Sequence, residues 1–111
     1  MPKLLKDKRI KIIYKGWNDD YTERVEEVRG ELWAHFRHLS IKETYEAGAD
    51  YALTNVYFTF TKPTFEFGTY NLIEYPLGSG KLWDVIGVDL FEDRDGSNIR
   101  ALARPAGAED Y

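Results

Sequence analysis

The sequence predicts a mainly β protein: a small antiparallel β-barrel or sandwich with one short helix inserted between strands. Three observations carry this. Apolar and polar residues alternate with a period of two in four separate runs. Aromatic residues make up 15% of the chain, and aromatic side chains favour strands. Clusters of Gly, Pro, Asn and Asp punctuate the runs at short intervals. At 111 residues the chain suits one domain, and folding at this size buries somewhat over ~60% of the unfolded surface. Residues 1–103 form that domain in this reading, and residues 104–111 a flexible tail.

The first strand runs from Arg9 to Lys15, with Ile10, Ile12 and Tyr14 opposing Lys11 and Lys15. Residues 16–20 (GWNDD) form a turn-rich loop, and the Glu and Arg residues of 21–28 mask any period. From Glu31 to Leu39 a long strand places Leu32, Ala34 and Phe36 on one side, with Trp33, His35 and Arg37 on the other; the pattern also fits a helix. Ser40 and Glu43 have the spacing of a capping box, in which the Ser hydroxyl accepts from the N3 amide and the Glu reaches back to the cap amide. A helix of two turns at most follows to Ala47, and Gly48 can end it.

The strongest strand is Tyr51 to Lys62, with Val56, Phe58 and Phe60 facing one way, and Pro63 stops it. Tyr70–Tyr75 and Lys81–Leu90 are two more strands around a Pro76–Gly80 turn. Residues 93–98 make another turn, and Ile99–Ala103 is a short last strand. The expected core is Ile10, Ile12, Leu32, Ala34, Phe36, Val56, Phe58, Phe60, Leu72 and Ile86.

Composition excludes several functions. With no cysteine there is no disulfide, no thiolate nucleophile and no Cys-ligated zinc. A net charge of −4 argues against a general nucleic-acid binder, which usually carries a basic excess. The start of the chain lacks the apolar run of a secretion signal, and no stretch approaches the ~20 apolar residues of a membrane span. The expected location is therefore the cytoplasm of the producing cell, or a released particle. Charge is uneven: residues 1–15 carry a net +5 and residues 84–95 a net −4. Such polarity suits heterologous contacts between copies, and equally two solvated faces.

Catalytic and metal motifs are weak. His35 and His38 share a face on a helix but lie on opposite faces of a strand. Gly78–Lys81 (GSGK) resembles the end of a phosphate-binding loop, but Tyr75 stands where the first Gly belongs and Leu82 where Ser or Thr must bind magnesium. Asp93, Asp95 and Asn98 lack the order and closing Glu of a calcium loop. Nothing brings two of Asp84, Asp89 and Glu92 together for acid–base work. The sequence supports no enzyme, metal site or cofactor.

Four segments stand in order along the chain: Arg9–Ile12 (RIKI), Glu31–Tyr45 with its Trp-Ala and S-x-x-E-x-Y elements, the Tyr70–Gly80 hairpin, and Trp83–Leu90 (WDVIGVDL). Together they resemble the head–tail connector proteins of long-tailed bacteriophages, and most closely the head-closure or stopper protein. The chain departs from the family at Thr59–Lys62, where many members carry an Arg-Tyr pair, and at a longer Pro63–Gly68 segment.

The resemblance implies a non-catalytic virion protein without cofactor. It would form a homo-oligomeric ring, hexamer or dodecamer, in the phage neck. The portal or adaptor protein would lie above it, and the tail tube or a tail-completion protein below. Viral DNA would pass through the channel without sequence-specific binding, and no membrane is involved. Ser40–Thr54 would be the channel gate. Glu43, Glu46 and Asp50 would line the lumen, where carboxylates repel phosphates. Tyr45 and Tyr51 would close it and Gly48 would hinge it. Trp17, Trp33 and Trp83, with Arg9 and Asp89, are candidate interface residues, since aromatics are enriched at interface centres, and the barrel core is the alternative place for the three tryptophans. A tail-completion or terminator role is an alternative. So, from another class, is a β-barrel module for single-stranded nucleic acid, with surface aromatics as stacking platforms and residues 3–15 as its basic element. A far-ultraviolet circular dichroism spectrum dominated by β-structure is expected; one dominated by helix would overturn the fold reading.

Overall fold

The computed structural model describes residues 5–17, 21–39, 55–94 and 96–106. Six strands make one closed barrel: β1 (Lys8–Trp17), β2 (Arg24–His38), β3 (Val56–Thr61), β4 (Asn71–Glu74), β5 (Leu82–Asp93) and β6 (Gly96–Pro105). Around the barrel they follow the order β1-β2-β3-β6-β5-β4, and every neighbouring pair is antiparallel. Closure settles the choice between barrel and sandwich. The short helix expected after Ser40 lies outside the described residues, and the described residues contain no helix.

Two strands are longer than their apolar pattern suggests. β2 begins at Arg24, because residues 24–28 pair with β1 rather than with the core. Glu26, Glu27 and Val28 are exposed there, on a hairpin arm that needs no apolar face. β6 likewise runs two residues past the expected tail boundary, since Asp84↔Arg104 and Trp83↔Pro105 continue the ladder. β3 begins at Val56, and residues 51–54 of the expected strand lie outside the described set.

The interior is filled by Ile10, Ile12, Ala34, Val56, Phe58, Phe60, Ile73, Trp83, Val85, Ile99, Ala101 and Ala103, with Leu32 and Phe36 packed against them. Phe36, Phe58, Tyr75 and Trp83 form an aromatic plug at one end, with ring centroids 4.7–6.1 Å apart. Phe65 and Phe67, from the connection between β3 and β4, close the other end, and Phe67 sets its edge against Phe60 at 5.0 Å. Gly30 makes room for this lid: a Cβ there would lie 3.4 Å from the Phe65 ring.

The phase of β5 differs from the alternation that the sequence predicts. A bulge between Val85 and Gly87 leaves Ile86 without a partner and shifts the inward set from Trp83 and Val85 to Val88. Ile86 is therefore half-buried, while Trp83, expected on the surface, is 4% exposed and donates its indole N–H to the Tyr75 carbonyl at 2.9 Å.

Asn71 ties the barrel seam. Its Oδ1 accepts from the Gly68 amide at 2.9 Å in a part-buried site, and its Nδ2 donates to the Ile13 carbonyl at 3.2 Å in a buried one. Asn71→Ala removes both bonds and is expected to cost about 1–3 kcal/mol, the range for a buried polar group that loses its partner. A loss of that size is expected in urea unfolding, and an unchanged midpoint would show that the clasp is dispensable.

Candidate interface on the barrel wall

Residues that alternate with the core point outward, so register alone builds the outer wall. One row crosses four strands: His35 of β2, Thr59 of β3, Arg100 of β6 and Asp89 of β5. The next row brings Arg37 opposite Tyr57 and Tyr57 opposite Leu102. The Arg37 and Arg100 guanidiniums lie 4.7 and 4.8 Å from the Tyr57 ring centre. Arg100 also pairs with Asp89 at 3.0 Å. Of the expected interface residues, Asp89 thus sits on this wall with its charge already matched.

Arg9 and Trp33 are directly paired across β1 and β2. The guanidinium lies 5.0 Å from the indole centre, and Arg9 also reaches Glu31 at 3.6 Å. Trp33 remains 55% exposed. The three expected tryptophans therefore separate. Trp33 is a surface aromatic, Trp83 belongs to the core, and Trp17 ends β1 with its side chain outside the described set. Glu43, Tyr45, Glu46, Gly48, Asp50 and Tyr51 all lie outside the described residues.

The basic start is largely neutralised within the fold. Lys11 pairs with Glu74 at 3.7 Å, Lys15 with Asp84 at 3.1 Å and Lys8 with Asp7 at 3.8 Å. Lys6 Nζ donates to Asn98 Oδ1 at 2.6 Å and Thr61 Oγ1 at 2.9 Å, tying the start of the chain to β3 and β6. The two oppositely charged segments thus partly meet each other within one molecule. The Lys11 and Lys15 pairs also flank Ile13 and Leu72, a buried apolar pair on the outward side of β1 and β4.

The weak motifs resolve into turns. Gly78 and Gly80, both at positive φ, shape the β4–β5 hairpin, and the Gly78 amide donates to Glu74 Oε1 at 2.9 Å. Asp93 pairs with Gly96 at the tip of the β5–β6 hairpin. His35 faces outward opposite Thr59, whereas His38 stands opposite the core residue Val56. Among the described residues no three potential metal ligands converge.

Sequence reasoning missed a second surface. Lys62, Phe65, Glu66, Phe67, Tyr70, Leu90 and Ile99 line an open depression of about 390 Å³ at the barrel end closed by Phe65 and Phe67. Leu90 stands opposite the core residue Ile99, yet it is 67% exposed because β4 pairs with β5 only through Asp84. The long Pro63–Gly68 segment was the one available sequence signal.

The separation of the tryptophans is measurable. Trp83→Ala is expected to cost about 3–5 kcal/mol, as for a large buried aromatic. Trp33→Ala is expected to cost about 1 kcal/mol or less, the worth of an exposed cation–π contact. Urea denaturation of both variants checks this, and equal losses would contradict the assignment.

No known family profile and no curated protein matches the sequence. The fold is similar to the solution structure of protein SF1141 from Shigella flexneri 2a, with a TM-score of 0.65 and 24% identity over 90% of this chain and 92% of that one. At that identity the likeness shows a shared barrel fold.

Proposed function

We propose that this chain is a structural subunit of the neck of a long-tailed phage. Its copies form a ring that closes the DNA-filled head below the portal and docks the tail. The observation that carries the reading is the connection between β2 and β3. It spans 17 residues, far more than any other connection of the barrel. Connections longer than about 12–15 residues are uncommon in compact domains, and those that occur are usually either functional or linker segments. It departs from the end that holds the Phe36–Trp83 aromatic plug, and it coincides with the segment that the connector resemblance assigns to the gate.

In this proposal Ser40 caps a short helix in that segment. The Glu43, Glu46 and Asp50 carboxylates line the channel without holding DNA, and Tyr45 and Tyr51 close it about Gly48. The barrel is the rigid frame from which the gate moves. The role is structural, without catalysis or cofactor, and belongs to the virion neck after assembly in the host cytoplasm. The single-stranded nucleic-acid reading is weaker. Two guanidiniums already lie against Tyr57, and the basic start spends its charge on internal pairs.

Two measurements test the proposal. Electron microscopy with a label on the chain should place it in multiple copies at the portal vertex; density at the far end of free tail tubes would assign the terminator role instead. Deleting Glu43–Ala49 should leave a folded barrel on heads that lose their DNA before tails attach. Heads that keep their DNA as wild type does would remove the gate from this segment.

A further inference from the structure

We propose that neighbouring copies join by a knob and a socket: Trp33 of one copy seats in the depression beside Leu90 of the next. The inference deepens the ring reading above and rests on it. Its warrant begins with position. In the order β1-β2-β3-β6-β5-β4, β2 and β5 are three strands apart in either direction. The knob points outward from the wall at β2, whereas the socket lies at the barrel end, between the β3–β4 connection and β5, so the two are separate surfaces. One copy can use both at once, and repetition of such a heterologous contact generates a ring or an open chain.

The chemistry of the two surfaces matches. Trp33 is an exposed indole on a rigid strand, the kind of anchor that fills the centre of an interface. The socket offers Phe65, Phe67, Tyr70 and Leu90 around a hollow of about 390 Å³, ample for an indole. Leu90 is a large apolar residue held open to solvent by the early end of β4, and seating the indole covers it. Charges flank both surfaces. Arg9 and Glu31 stand beside Trp33, whereas Lys62 and Glu66 line the socket without an ion-pair partner among the described residues. In the contact Glu31 faces Lys62 and Arg9 faces Glu66. A pairing of the β2 arm with the distal edge of β5 is disfavoured, because Glu26 and Glu27 would then meet Asp89, Glu92 and Asp93.

The absence of native cysteine makes the contact directly testable. Glu31→Cys and Lys62→Cys variants, both at surface positions, are mixed and treated with a short bis-maleimide, in concentrated solution and in assembled particles. Mixed variants should give a crosslinked dimer, each variant alone none, and the double variant a ladder. Adding Trp33→Glu to the Glu31→Cys chain should cut the crosslink at least tenfold while circular dichroism stays unchanged. A crosslink indifferent to Trp33→Glu would overturn the knob. No crosslink in particles that hold many copies would overturn this contact and leave the ring reading standing. A chain present in one copy per particle and monomeric in solution would overturn both.

Discussion

The closing of the barrel rests on four residues. Strand β4, Asn71–Glu74, is the only one of the six strands that joins β1 to β5, and without it the sheet would be open with two unpaired edges. Its side chains divide the work. Ile73 enters the core, Leu72 packs outward beside Ile13, and Asn71 bonds backbone groups of both the preceding turn and β1. Glu74 adds an ion pair to Lys11 and accepts from the Gly78 amide, so the same short strand also fixes the following hairpin. A strand this short contributes few ladder bonds. It holds because nearly every polar atom it buries is matched, and a buried unmatched group is expensive.

Closure in turn dictates how the interior is filled. Small alanines of β6 and β2 stand opposite large rings of β3: Ala101 against Phe58 and Ala34 against Phe60. Alternating sizes let the layers interdigitate, as dense interiors require. The aromatic residues left over plug one end of the barrel, and the connection between β3 and β4 bends Phe65 and Phe67 over the other.

The outer wall follows from the same register. Each inward apolar residue obliges its neighbours to face solvent, and here those neighbours are arginines, acids and aromatics that meet across strands. Arg9 on Trp33, and Arg37 and Arg100 on Tyr57, are contacts between residues far apart in sequence. Exposed cation–π contacts such as these contribute about 0.5–1 kcal/mol each, so their effect lies mainly in orienting side chains. That orientation leaves Trp33 projecting from one wall and Leu90 exposed beside the opposite one.

The sequence by itself determined the strand class, the approximate place of all six strands and most of the core, because period-two alternation is a local property. RIKIIYK and VYFTFT each display it without help from neighbours. Only the tertiary structure decided the rest. The bulge at Ile86 reverses the phase of β5, turning Trp83 inward, and an alternation read along one strand carries no count of the residues opposite it. The charged residues of 24–28 conceal a strand whose partner, β1, supplies the pairing. The meeting of Lys11 with Glu74 and of Lys15 with Asp84 depends on barrel closure. Closure brings together segments dozens of residues apart, and no window along the chain contains that information.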